Sequence, residues 1–143
     1  MAQYRATYAC GHSEIIKLYG KETDRAERLK YLRAETCPTC RQASYREQSQ
    51  DAQIANAISG LPSLTGTDKQ SAWAETIRKT KITDIDAMIA GALADPQAQE
   101  EPVLIAALQA AARAVRDQTS AAWWIDRRDS SARSLVRDMA RGQ

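Results

Sequence analysis

Tyr8-Ala9-Cys10-Gly11-His12 and Cys37-Pro38-Thr39-Cys40 are the two stretches on which the reading of this chain turns. Between them they hold all 3 cysteines and the single histidine of its 143 residues. A tetrahedral metal ion asks for four soft donors, and structural sites usually draw them as two close pairs brought together by folding. Cys10, His12, Cys37 and Cys40 supply that set with nothing left over, so the residues predict a structural Zn2+ site. A thioredoxin-like redox pair would also show C-x-x-C, but it belongs at a strand-to-helix junction in a βαβ unit, and no such unit is evident. A disulfide framework would use an even number of cysteines behind a secretory signal. Here the number is odd, and Met1-Ala2-Gln3-Tyr4-Arg5 lacks the charged-then-apolar pattern of a signal peptide.

Outward from these pairs, Tyr4, Ala6 and Tyr8 alternate with Arg5 and Thr7, and Ile15-Ile16-Lys17-Leu18-Tyr19 is rich in β-branched and aromatic residues. Two strands folded around Cys10-Gly11-His12 are expected. Gly11 gives the backbone freedom to turn peptide N–H groups toward the Cys10 sulfur. A charged helix is expected from about Thr23 to Glu35, with Leu29 and Leu32 as a narrow apolar stripe. Its Arg25, Arg28, Lys30 and Arg33 scatter around the helical circumference and read as a solvated face. Cys37-Pro38-Thr39-Cys40 opens a second helix running to about Ser59, with Ile54 and Ile58 as an apolar pair, so the helix dipole favours the thiolates. Three thiolates and one imidazole leave the loaded site near −1, a charge that Arg41 could offset.

Gly60-Leu61-Pro62-Ser63-Leu64-Thr65-Gly66 reads as a linker, which divides the chain into a metal-binding head over 1–60 and a helical bundle over 61–143. Thr67-Asp68-Lys69-Gln70 has the form of a capping box, with Trp73 and Ile77 on one face of the helix it opens. Thr83-Asp84 opens another, carrying Ile85, Met88, Ile89, Ala92 and Leu93 at core spacing. Pro102 starts a helix with Leu104, Ile105, Leu108, Ala111, Ala112 and Val115 in a continuous stripe. Thr119 or Ser120 caps a short helix holding Trp123-Trp124-Ile125, and Ser130-Ser131 caps the last, with Leu135, Val136 and Met139 inward. The fold class expected is mostly α, within α+β. A small zinc-stapled hairpin-and-helix head, treble-clef or zinc-ribbon-like, precedes a bundle of four or five short helices.

Several of these stretches resemble small uncharacterised proteins carried by bacteriophages and other mobile elements. The likeness lies in Tyr8-Ala9-Cys10-Gly11-His12, Leu18-Tyr19-Gly20-Lys21, the Arg/Lys-rich helix that follows, Cys37-Pro38-Thr39-Cys40, Leu61 to Gln70, Ala72-Trp73-Ala74-Glu75-Thr76-Ile77-Arg78 and Ala122-Trp123-Trp124-Ile125-Asp126. It covers most of the chain outside residues 80–118. The resemblance implies a zinc-ribbon-like head on a helical tail in the setting of a mobile element, and it implies no reaction.

No H-E-x-x-H, G-x-S-x-G or P-loop pattern is present, and four protein donors leave no coordination position for an activated water. With His12 used as a ligand, no histidine remains to act as a base. An enzyme is therefore not expected, and no small-molecule substrate is evident. Formal net charge is only +2, yet residues 103–143 carry 7 arginines against 4 aspartates. Arg133, Arg137 and Arg141 fall four apart as a basic ridge. Trp124, followed by Arg127 and Arg128, has the composition of a binding hot spot. The expected partner is a host protein, bound by an adaptor or inhibitor of a phage or mobile element, with a counter-defence protein of the anti-CRISPR type as one form. The alternative is a zinc-dependent accessory factor that binds DNA or RNA. No apolar run has membrane-spanning length, and free thiols used as ligands point to the reducing cytoplasm of a bacterial host.

Overall fold

The computed structural model describes residues 1–142. Strands β1 (Ala2–Thr7) and β2 (Ser13–Leu18) are followed by α1 (Glu22–Ala34), α2 (Pro38–Ile58), α3 (Asp68–Ala94), α4 (Pro96–Gln99), α5 (Pro102–Arg116), α6 (Ala121–Asp126) and α7 (Ala132–Ala140). A hairpin head followed by helices is thus the architecture. Two compact units divide between Glu47 and Gln48, inside α2 and ahead of the Gly60–Gly66 stretch.

In the first unit β1 and β2 pair antiparallel, from Ala2 opposite Leu18 to Thr7 opposite Ser13. Alternation turns Tyr4, Ala6 and Tyr8 to the covered face, and α1 lies against β1. Leu29 and Leu32 are half-buried there, with Arg25, whose guanidinium carbon lies 6.0 Å from the Tyr4 ring centroid. The cover is thin: within residues 1–47 only Ala6, Tyr8 and Cys37 are buried.

The second unit is built on α3. The Thr67 hydroxyl accepts the Gln70 N–H while the Gln70 side chain accepts the Thr67 N–H, so the expected capping box is formed. The break expected at Thr83-Asp84 does not occur. The Thr83 hydroxyl donates to the Lys79 carbonyl at 2.9 Å, so it bonds back into the turn before it and leaves the helix continuous for 27 residues. The buried residues of α3 are Ala74, Glu75, Arg78, Ile82 and Ile85, whereas Trp73 is half-exposed and Ile77 half-buried. Ala111, Ala112, Val115, Ala121, Trp124, Leu135 and Val136 complete the core from α5, α6 and α7. Burial fades toward the other end of the bundle, where Leu93, Val103 and Leu104 are exposed. Ile54 and Ile58 on α2 are exposed as well; the inward face of that helix is Ala52 and Asn56.

The segment between α2 and α3 packs as part of the bundle. Leu61 and Leu64 lie against the core, and Thr65 forms a bridge with Ser120: its N–H donates to the Thr119 carbonyl at 2.7 Å and its carbonyl accepts from Ala121 at 2.9 Å. Gly66, at φ +156, then passes so close to Ala121 that an added Cβ would stand 2.9 Å from the Ala121 Cβ. Ala121 is fully buried and cannot swing away. Gly66→Ala is expected to cost about 1–3 kcal/mol, combining overpacking with a backbone that alanine dislikes. A urea midpoint equal to that of the parent protein would refute this close approach.

Candidate metal centre

The first donor pair sits in the turn of the hairpin. The Tyr8 N–H donates to the His12 carbonyl and the Gly11 N–H to the Tyr8 carbonyl, each at 2.9 Å. Gly11 closes this turn at φ +83, a conformation that side-chain-bearing residues rarely adopt. The second pair straddles the start of α2. The Cys37 carbonyl accepts the Arg41 N–H at 2.9 Å and its sulfur accepts the Cys40 N–H at 3.4 Å, so Cys37 acts as the N-cap and Pro38 takes the first helical position. Two further bonds join the pairs: Cys37 N–H to Cys10 Sγ at 3.4 Å, and Ala9 N–H to the Glu35 carbonyl at 2.9 Å.

Folding thus brings Cys10, His12, Cys37 and Cys40 together, with their donor atoms all within 4.8 Å of one another. His12 Nδ1 is 3.2 Å from Cys40 Sγ and 3.7 Å from Cys37 Sγ. A tetrahedral ion with metal–sulfur bonds of ~2.3 Å and metal–nitrogen bonds of ~2.0–2.1 Å places its sulfur and nitrogen donors about 3.6 Å apart. The residues therefore fit a four-coordinate metal in both donor chemistry and spacing. Peptide N–H groups aimed at two of the sulfurs are the outer partners that hold thiolates in place.

The electrostatics fit as well. The Cys37 N–H bonded to the Cys10 sulfur, helped by His12, holds the Cys10 thiol down at about 6. The hydrogen bond with Cys37, together with partial desolvation and the neighbouring Cys10, pushes Cys40 up to about 11. Sulfurs this close resist ionising together unless a cation lies among them, and a metal ion removes a coordinating thiol's proton outright. Arg41 lies in the first turn of α2, just after Cys40. Its Nη2 donates to Glu35 Oε2 at 2.8 Å and to the Thr36 carbonyl at 3.2 Å, bracing the approach to the second pair. Beneath the first pair the Tyr8 hydroxyl donates to Glu14 Oε1, and this bond raises the Tyr8 pKa.

The residues expected at a partner surface divide. Trp124 does not belong there: it is 0 % exposed, with Nε1 donating to the Gln118 carbonyl at 3.1 Å. Adjacent residues on α6 point about 100° apart, and the sequence alone does not say which of two tryptophans turns inward. Trp123 is half-buried against the core, its ring edge-on to Trp124 with centroids 5.0 Å apart. Arg127 lies 4.5 Å from the Trp123 centroid, and Arg128 lies 6.0 Å from that of Trp73. Arg133, Arg137 and Arg141 are all exposed, and Arg137 approaches Asp138 at 3.6 Å.

Two features escaped the sequence reading. Trp73 is 51 % exposed instead of facing inward, and Arg78 is fully buried in the core. The one available signal for Arg78 was its position four residues from both Ala74 and Ile82 on α3. Among the described residues no helix is long and apolar enough to cross a membrane. Comparison with family models, with characterised proteins and with solved structures gave no match.

Proposed function

We propose that this chain is a non-enzymatic binding module whose head is stapled by one zinc ion and whose bundle engages a partner protein. The observation that carries the reading is the convergence of Cys10, His12, Cys37 and Cys40 on one point. Zinc is the ion that a three-thiolate, one-imidazole tetrahedron favours, since soft sulfur and borderline nitrogen disfavour calcium and magnesium. Four protein ligands close the sphere, and His12, as the chain's single histidine, is committed to the metal. The metal then has no open position for polarising a substrate or activating water.

Cobalt substitution tests the closed sphere. A Co2+-loaded protein should show the intense visible bands of a four-coordinate site with three sulfur donors and one nitrogen, unchanged by added azide or imidazole. Weak bands, or a spectrum that responds to those ligands, would open the site and reinstate a catalytic metal.

Loading should also release protons. Cys40, held near 11 by its neighbours, must give up its proton to bind, while Cys10 at about 6 is already largely ionised at neutral pH. Apparent zinc affinity should therefore rise with pH between 6 and 8, steepening as Cys10 too becomes protonated below about 6. Calorimetric titration in buffers of different ionisation enthalpy measures this, and a heat independent of buffer would contradict thiol ligation.

The role as an adaptor or inhibitor of a mobile element, acting on a host complex, is supported by the motif resemblance alone. A protein partner is favoured over nucleic acid by the small net charge of +2 and by aspartates interspersed among the bundle's arginines.

A further inference from the structure

We propose that the outward face of the β1–β2 hairpin is a two-stranded ribbon that reads the major groove of duplex DNA. This goes beyond the reading of the bundle as protein-binding: it gives the head a ligand of its own and requires only that the head be folded.

The pairing of the strands decides which side chains share this face. Gln3 stands opposite Lys17, Arg5 opposite Ile15 and Thr7 opposite Ser13. All six are exposed, whereas Tyr4 and Ala6 belong to the covered row. Among the described residues the sheet has no third strand, so both edges are free and the hairpin can enter a groove as a ribbon. Each strand has 6 residues, about 20 Å of chain. The major groove of B-form DNA, about 12 Å wide, admits a ribbon of this kind.

Chemistry selects the occupant. Arginine and lysine take guanine O6 and N7, glutamine takes adenine N6 and N7, serine and threonine bond to either, and an apolar side chain meets the thymine methyl. Gln3, Arg5, Thr7, Ser13, Ile15 and Lys17 hold a member of each class and no carboxylate. Glu14, the hairpin's acid, lies in the other row opposite Ala6 and accepts the Tyr8 hydroxyl. Arg5 and Lys17 are diagonal neighbours within side-chain reach, so they repel until an acceptor-rich surface covers them. Neither they nor Gln3 make a side-chain hydrogen bond or ion pair among the described residues.

The distribution of charge agrees. Residues 1–47 hold 9 basic and 6 acidic side chains, whereas residues 48–143 hold 11 and 12, so the chain's positive excess lies wholly in the head. A loaded metal site near −1 does not cancel it. Other occupants fit less well. A single strand needs aromatic platforms for its bases, and this six-residue face has none. Duplex RNA holds its major groove too deep and narrow for side chains to read. A protein partner would need buried anchors, and Ile15 is the face's one apolar residue.

Zinc-loaded, 15N-labelled full chain is titrated with a mixed-sequence DNA duplex, with the RNA duplex of the same sequence, and with one DNA strand alone. The DNA duplex should shift the amides of β1 and β2, less so as salt rises, and leave the 3 tryptophan indoles in place. Arg5→Glu with Lys17→Glu should weaken binding about tenfold or more, with the Gly11 and Cys40 amides unmoved by the substitutions. Gln3→Ala separates a reader from a cationic patch. Selection from a randomised duplex pool should return a different sequence with this variant than with the parent, at an unchanged salt slope. The same sequence from both, or no enrichment, would reduce the ribbon to a charged patch and overturn the proposal. No shift in β1 and β2 at ~100 μM duplex in low salt overturns it too. So do equal shifts from the RNA duplex or the single strand; in each of these cases the protein-binding reading of the bundle stands. Shifts centred on the α7 arginines and the indoles would overturn both.

Discussion

Cys37→Ser, or removal of the metal by a chelator, is expected to unfold the hairpin and α1 while the helical bundle keeps its structure. The cause is the imbalance between the two units. Residues 1–47 bury only Ala6, Tyr8 and Cys37, and α1 contributes no fully buried side chain. Domains this small seldom assemble enough apolar core to hold themselves and are commonly stapled by a metal. A structural zinc site contributes on the order of 10 kcal/mol to folding, more than the few apolar contacts here can replace. The bundle by contrast has ten buried core residues drawn from four helices, none of them a metal ligand.

The substitution is chosen so that it isolates the metal. Serine is itself a good N-cap, able to accept the Cys40 N–H that the Cys37 sulfur accepts. Loss of structure then follows from the missing ligand and not from a weakened start to α2. The readout comes from the chain's own aromatics, because all 5 tyrosines lie between positions 4 and 45 and all 3 tryptophans between 73 and 124. Near-ultraviolet tyrosine dichroism and the amide signals of 2–34 should collapse, while tryptophan emission and the three indole signals hold. Tyrosine signals untouched by complete metal removal would mean that the head folds without it.

The head was legible in the sequence because its chemistry is written in rare residues. Four soft donors in two pairs, a glycine between Cys10 and His12 and a proline after Cys37 fix the knuckles without any help from long-range packing. The helix caps were legible for a similar reason, since Thr67, Ser120 and Ser131 bond to groups three residues away. What resisted reading was the choice of face. Apolar residues on α2 and α3 predict an interior of Ile54, Ile58 and Trp73, yet the helices approach through Ala52, Asn56, Ala74 and Glu75. Small side chains allow close approach, and the polar ones satisfy one another: Asn56 Nδ2 donates to the Glu75 carbonyl at 3.1 Å and to its carboxylate at 2.5 Å. Periodicity counts hydrophobicity and is blind to a polar pair that buries itself.

Arg78→Met is expected to destabilise the bundle by about 3–5 kcal/mol, much of the stability a small domain has. Arg78 is 0 % exposed, with Nη1 donating to the Pro62 carbonyl at 2.6 Å and Nη2 to the Arg116 carbonyl at 3.0 Å. It therefore ties the segment before α3 to the last turn of α5, where the dipole of α5 welcomes a cation. Its guanidinium carbon lies 5.7 Å from the Trp124 ring centroid. Burial lowers the Arg78 pKa and Glu75 opposes that shift, but arginine remains charged at any accessible pH. Methionine would fill much of the volume and leave two carbonyls unpaired, each carrying the desolvation penalty of a lost charge-assisted bond. Arg78→Lys should recover only part of the loss, because an ammonium cannot reach two carbonyls in the fixed geometry of a guanidinium fork. Glu75→Gln in the Arg78→Met background should cost less than it does alone, since the charge that Glu75 balances is gone. Urea unfolding followed by tryptophan emission, which comes wholly from the bundle, measures the four variants against the parent. An Arg78→Met midpoint close to the parent's would show that the two carbonyls find other partners, and that the buried cation does not hold the bundle together.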